Sequence, residues 1–312
     1  MTAAPSPAPD ILPPADRQDF VSRIGALAAD IKLSHSVFAL PWAILATFMA
    51  AGGVPRAGQI VLIVTCMVLA RTAAMSANRL FDAELDRVNP RTAKRAIPAG
   101  RLSKSFVAAA TLVCVAGFVA VTSLFGVIYS NWIPLAASLP VLAFICAYPF
   151  VKRFSRLCHY WLGTALGLAP LCAWLAIAGH FAWEPVLMGA AVLLWTAGFD
   201  ILYACQDFAS DRATGVHSMP ADTGVTPALW IARFSHALCL GLLISLGRLS
   251  PQLGGVYFAA VAVTGLLLVV EHAVVKPTDL SKINLAFFTI NGFISLLLGT
   301  AGVVDVLRHA SL

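Results

Sequence analysis

Charge is what this chain most lacks. Only 12% of its 312 residues are Asp, Glu, Lys or Arg, whereas a soluble domain carries about 25%. Hydrophobic residues make up 59% of it, and the mean hydropathy is +0.84. A chain so poor in charge and so rich in long apolar runs is not a soluble globular domain; it reads as a polytopic membrane protein. Paired cysteine chemistry is also missing. The seven cysteines (66, 114, 146, 158, 172, 205 and 239) show no CxxC and no metal-ligand spacing, so they read as small apolar packing residues. The sequence has no glycine-rich nucleotide loop, no HExxH and no Ser/His/Asp set. Residues 1–16 lack a basic start followed by an apolar run, so a signal peptide or an Arg-rich transit peptide is not expected there. Residues 1–20 are expected to be a disordered tail rich in Pro and Ala, and 21–312 a single domain in a bacterial inner membrane.

What is present is a series of apolar segments of roughly 18–24 residues, long enough to span a bilayer. They fall near 36–54, 58–78, 105–124, 131–150, 160–179, 185–205, 229–248, 253–275 and 284–306. The fold class expected is therefore all-α, with about nine transmembrane helices. Pro134, Pro140, Pro149 and Pro170 interrupt the fourth and fifth segments, which a bundle tolerates where neighbours re-satisfy the freed carbonyls. Of the 21 lysines and arginines, 17 lie on the N-terminal side of the membrane and three on the other, and Arg71 falls within a span. By the positive-inside rule the N-terminus is cytoplasmic and, after nine spans, the C-terminus is outside. The net charge of +6 is thus explained by topology, and no nucleic-acid partner is implied.

Two acidic clusters sit on the expected cytoplasmic side. Asp82 and Asp86 follow the second span, and Asp207 and Asp211 end the sixth, 125 positions later with the same spacing of four. On a helix, offsets of four and seven fall near one line, so Arg71, Asn78, Asp82 and Asp86 share a face, as do Asp200, Tyr203, Asp207 and Asp211. Four converging carboxylates repel one another unless a cation lies between them. Mg2+ takes oxygen ligands and binds through carboxylates together with substrate phosphates. The basic run from Arg91 to Lys104 beside the first cluster suits a diphosphate. The plainer alternative is a pair of solvated helix ends at the membrane interface.

Arg71 lies about 10 Å below Asn78 along the same helix. An arginine at that depth costs a few kcal/mol and faces the bundle interior. It either closes a structural ion pair or meets an anionic group, and a benzoate or naphthoate carboxylate would suit it. Asn284 and Asn291 on the last span read as interhelical hydrogen-bonding residues, and Glu271–His272 carries no assigned role.

These motifs resemble the UbiA superfamily of intramembrane aromatic prenyltransferases. Its N-x3-D-x3-D signature is matched by Asn78, Asp82 and Asp86, and its D-x2-Y-x3-D-x3-D signature by Asp200, Tyr203, Asp207 and Asp211. Its RT-x2-R element is matched by Arg91, Thr92 and Arg95, and its Tyr-Pro-x2-Lys-Arg element by Tyr148, Pro149, Lys152 and Arg153. The resemblance runs from Ile31 to about Gly302. It implies helices around a central cavity open to the cytoplasmic side, and transfer of a polyprenyl group from its diphosphate to an aromatic carboxylic acid such as 4-hydroxybenzoate. It further implies Mg2+ on Asp82, Asp86, Asp207 and Asp211, and diphosphate contacts from Asn78, Arg91, Arg95, Lys152 and Arg153. Asp200 would accept a proton or orient the phenol, and Tyr148 or Tyr203 would face the allylic cation. Ubiquinone-pathway members usually read Asn-Asp within the first motif, where this chain has Asn78–Arg79. The IKLSHSVFALPWA and RTAAMSANRL runs are similar to the branch associated with the futalosine route to menaquinone, so a naphthoate-type acceptor stands as the alternative. A transporter is the rival of another class, but its site is expected near the midplane rather than at one face.

Overall fold

The computed structural model describes residues 19–311, the side chains of 33–35 excepted. Most of the expected tail, residues 1–18, lies outside the described residues. The elements are α1 (Phe20–Ile31), a 3-10 turn (Leu33–Phe38), α2 (Leu40–Ala51), α3 (Ala57–Phe81), α4 (Ala83–Val88), α5 (Lys104–Tyr129), α6 (Ile133–Cys146) and α7 (Tyr148–Val151). They continue with α8 (Cys158–Ala178), α9 (Trp183–Ala204), α10 (Phe208–Thr214), α11 (Met219–Thr223), α12 (Val225–Leu249), α13 (Gly255–Val274), a π-helical stretch (Leu285–Ile290) and α14 (Asn291–Ala310). Among the described residues, eight helices are long and apolar enough to cross a membrane. A ninth span is supplied if α1 and Ser36–Ala51, bent by 44° at the break between them, are taken together. The all-helical, multi-pass membrane fold expected from the apolar runs is the one observed.

Small residues set the helix spacing where it matters for function. A methyl group on Gly163 of α8 would come within 2.3 Å of the Leu193 carbonyl oxygen of α9, and one on Gly167 within 2.4 Å of the Gly189 oxygen. Only glycine permits so close a backbone approach, which lets membrane helices pack without a hydrophobic driving force between them. The approach brings the start of α8 against the end of α9, where the second acidic motif lies. Polar residues tie the other side of the bundle. Asn291 donates to Glu271 Oε1 at 2.7 Å and to the Ala286 carbonyl at 3.0 Å, and accepts from Trp195 Nε1 at 2.7 Å. It joins α9, α13 and α14 as an interhelical hydrogen-bonding residue.

Both acidic motifs lie at the end of the bundle that carries the 82–103 loop, so the topology can be tested by labelling. In a cysteine-free background, cysteine at Ser130 or Phe181, both exposed, should react with an impermeant maleimide added outside intact cells. Cysteine at Val88 or Ala213, exposed at the opposite end, should react only after permeabilisation. Labelling of position 88 from outside would invert the orientation.

Candidate active site

The helices that carry the two motifs break at corresponding aspartates. Asp82 ends α3 with φ −93 and ψ 0, and Asp207 precedes α10 with φ −95 and ψ 4. Both sit in the sparsely populated bridge region, which active-site residues often occupy. The single helical face expected for Asn78, Asp82 and Asp86 is therefore interrupted at Asp82, and that for Tyr203, Asp207 and Asp211 at Asp207. Each break re-aims the carboxylates that follow it.

A cavity of about 800 Å³ lies between the motifs. Arg71, Asn78, Asp86, Arg91, Arg95, Tyr148, Lys152, Asp200, Tyr203, Asp207 and Asp211 all line it. Two expected site residues do not. Asp82 has no exposed surface and lies behind Lys152, its salt-bridge partner. Arg153 turns back to donate to the Phe81 carbonyl at 2.6 Å.

The carboxylates do not converge on one another as the repeated spacing suggested. Among the described residues, no three His, Cys, Asp or Glu side chains are grouped closely enough to hold a metal together. Arg91 grips Asp207 through Nε at 2.8 Å and Nη2 at 2.6 Å, and Asn89 adds a hydrogen bond at 3.2 Å. Arg95 Nη1 bridges both oxygens of Asp86 at 2.7 and 2.8 Å. Ser218 Oγ donates to Asp211 at 2.8 Å. Three of the four carboxylates are thus neutralised by the very cations expected to hold a diphosphate, and this is how the site avoids like-charge repulsion. Burial pushes the Asp82 carboxyl above its ordinary value, against the pull of Lys152. Burial also works to lower the Arg91 guanidinium, but the hydrogen bond and charge of Asp207 outweigh it and leave it raised.

These residues fit a hard divalent cation. The donors are all oxygen, as Mg2+ prefers. The buried Oδ1 of Asp82 has no hydrogen-bond partner, with the Arg153 guanidinium 4.0 Å away. A diphosphate offers the arginines and lysine alternative acceptors, so its binding would free carboxylate oxygens for a metal.

Tyr203 is already occupied on its ring. Phe287 packs 4.1 Å from it, centroid to centroid, and the Arg91 guanidinium carbon stands 5.5 Å from its centroid. Arg71 contrasts with Arg91, Arg95 and Lys152, which pair with carboxylates. Its Nη2 makes one long hydrogen bond, 3.4 Å to the Lys32 carbonyl, and its buried Nε has no partner. Among the described residues it forms no salt bridge, so the structural ion pair considered for it is not met there. Arg71 also borders a second, apolar chamber of about 200 Å³ between α3, α5, α6 and α8.

Sequence reasoning missed three participants. His159 Nδ1 lies 2.7 Å from Asp200 Oδ2. Asn89 and Ser218 each bond one of the motif aspartates. His159 and Asn89 had no local signal, because their partners lie 41 and 118 positions away, and Ser218 reaches back seven positions to Asp211 from beyond the end of α10. Arg79, the departure in the first motif, forms a salt bridge with Asp30 of α1 at 3.0 Å; Asp30 also accepts from the Ala96 N–H at 2.9 Å. Asp30 thus fastens α1 both to α3 and to the basic loop.

Comparison with known proteins agrees with this architecture. The pattern of the UbiA prenyltransferase family matches residues 39–297. The 4-hydroxybenzoate octaprenyltransferase of Methylococcus capsulatus is 30% identical over 82% of this chain and 86% of its own. The mitochondrial 4-hydroxybenzoate polyprenyltransferase of Caenorhabditis elegans is 30% identical over 70% of this chain and 60% of its own. The apo structure of a UbiA homolog from Aeropyrum pernix K1 superposes with a TM-score of 0.78 at 30% identity, covering 88% of this chain and 98% of that one. A UbiA homolog from Archaeoglobus fulgidus bound to DMAPP and Mg2+ shares the fold, with a TM-score of 0.68 at 18% identity over 92% and 99% of the chains. A bundle of membrane helices that brings two aspartate motifs and their basic partners around one cavity, together with these matches, makes the chain a member of the UbiA prenyltransferase family.

Proposed function

We propose that this prenyltransferase moves a polyprenyl group from its diphosphate onto an aromatic carboxylic acid of the 4-hydroxybenzoate kind, in quinone biosynthesis. The observation that carries the reading is the division of the cavity. Its motif end alternates carboxylates with Arg91, Arg95 and Lys152, whereas its depth holds a single arginine, Arg71, with no carboxylate partner among the described residues. The first end suits a metal diphosphate and the second a lone carboxylate.

Asp82, Asp86, Asp207 and Asp211 would hold Mg2+, which supplies charge to a leaving diphosphate. Arg91, Arg95 and Lys152 bind that diphosphate, with Asn78 beside them, and Arg153 helps to place Lys152's partner Asp82. The arginines and lysine are preorganised where negative charge develops as the ester bond breaks. The apolar walls keep water from the allylic cation, and the isoprenoid tail remains in lipid. Tyr148 and Tyr203 border the reacting end, and Asp200 takes the ring proton or orients the phenol. A naphthoate acceptor asks the same of Arg71. A transporter is disfavoured because both motifs lie at one end of the bundle.

Purified protein in detergent should make prenylated acid from a labelled polyprenyl diphosphate and a panel of hydroxybenzoates and hydroxynaphthoates. The product should disappear with EDTA and return with Mg2+. Turnover unaffected by chelation, or none with any aromatic acid, would overturn the reading.

A further inference from the structure

His159 opens α8, and only 3% of its side chain is exposed. It faces Asp200 of α9 across the glycine-mediated contact between the two helices. Its ring nitrogens have distinct partners. The Met219 backbone N–H donates to Nε2 at 3.1 Å. Because Nε2 receives a proton donor, it must present a lone pair, so Nδ1 carries the hydrogen and donates it to Asp200 Oδ2 at 2.7 Å. In this tautomer His159 holds the Asp200 carboxylate without competing for its proton. Its only lone pair is occupied, so it is not a relay.

The segment that fixes the tautomer also reaches the diphosphate end. Three consecutive residues make three ties: the His217 N–H donates to the Lys152 carbonyl at 2.8 Å, Ser218 Oγ to Asp211 at 2.8 Å, and the Met219 N–H to His159. One short stretch of chain therefore sets a diphosphate-binding lysine, a motif aspartate and, through the imidazole, Asp200.

We propose that His159 is a positioning residue that aims the Asp200 carboxylate at the acceptor ring. The inference rests on the aromatic prenylation proposed above. In that reaction the ester C–O bond breaks, its electron pair leaving with the diphosphate, and a ring carbon then bonds to the allylic cation. The proton on the attacked ring carbon then passes to Asp200, which restores aromaticity and needs no further reactant.

The test uses His159→Leu, His159→Gln, Met219→Pro and Met219→Ala in the full-length protein. Glutamine both donates and accepts, so it can replace the imidazole. Proline at 219 removes the N–H from the first position of α11, where proline is tolerated. Ser218 before it is already extended, with φ −130 and ψ 160, as a residue preceding proline prefers. Alanine at 219 keeps the N–H and loses only side-chain packing.

His159→Leu and Met219→Pro should lower kcat roughly ten- to hundredfold, the range found when the orienting partner of a functional ligand is lost. KM for the prenyl diphosphate should stay unchanged. In both, an acceptor deuterated at the attacked carbon should show a primary isotope effect absent from wild type, because proton removal becomes limiting. His159→Gln and Met219→Ala should resemble wild type. Equal losses in both Met219 variants, failure of glutamine to rescue, or a fall in kcat with no isotope effect would overturn the positioning role while leaving the prenylation intact. A wild type that prenylates no aromatic acid would overturn both.

Discussion

Asparagine in place of Asp207 is expected to give a folded, membrane-inserted protein that turns over roughly a hundred- to thousandfold more slowly. That is the range found when one preorganised electrostatic group is removed from a site where charge develops. Asparagine keeps the shape and one carbonyl oxygen but loses the charge. Two consequences follow from the geometry. A potential metal ligand becomes neutral, so the Mg2+ concentration needed for half-activity should rise. Arg91 also loses its two-pronged partner at 2.6 and 2.8 Å, a charge-assisted pair of the strong kind. The freed guanidinium can still reach a diphosphate, so KM for the prenyl substrate should change far less than kcat. Aspartate-to-asparagine exchange at Asp86, held by Arg95 through a single nitrogen bridging both oxygens, should behave alike. Thermal stability in detergent serves as the control, because removing one member of a partly buried pair also costs stability. A variant with wild-type turnover in EDTA-treated membranes would refute the metal-diphosphate site.

The fold was legible because its signals are local. Apolar runs of span length locate the helices, and the Asn78–Asp86 and Asp200–Asp211 spacings mark the ends of α3 and α9. The helix breaks at Asp82 and Asp207 were not legible. Nothing in N-x3-D-x3-D separates a continuous helix from one that leaves helical geometry at its middle aspartate, since tertiary pairing of that aspartate decides the matter. The electrostatics were half legible. Spacing showed that acids and bases share a surface but not that Asp82, Asp86 and Asp207 pair with Lys152, Arg95 and Arg91. His159 stayed hidden because a lone histidine at the start of an apolar helix has no pattern. The packing of α8 on α9, closest at Gly163 and Gly167, carries it to Asp200. Arg79 looked like a lapse from a motif until α1 supplied Asp30.

Arg71→Lys should weaken the acceptor's apparent affinity by roughly 1.5–3 kcal/mol, the range for a hydrogen bond to a charged group. That is about a ten- to hundredfold rise in acceptor KM where KM reports binding. Lysine keeps the charge but loses the planar fork that holds two carboxylate oxygens. The structure adds a reason to expect the effect at this residue in particular. Of the cavity's other basic residues, Arg79, Arg91, Arg95 and Lys152 pair with carboxylates and Lys32, Lys94 and Arg101 line its wall, whereas Arg71 has only the 3.4 Å bond to the Lys32 carbonyl and a buried Nε without a partner. A half-buried guanidinium left so poorly satisfied costs free energy, and an acceptor carboxylate would relieve that cost. KM for the prenyl diphosphate should hold steady, because the loop cations bind that substrate at the other end of the cavity. An acceptor with a neutral amide in place of the carboxylate should be poor with wild type and scarcely worse with the variant, since neither then gains from the fork. If the variant loses prenyl diphosphate binding instead, or still separates acid from amide as strongly as wild type does, Arg71 is not the partner of the carboxylate.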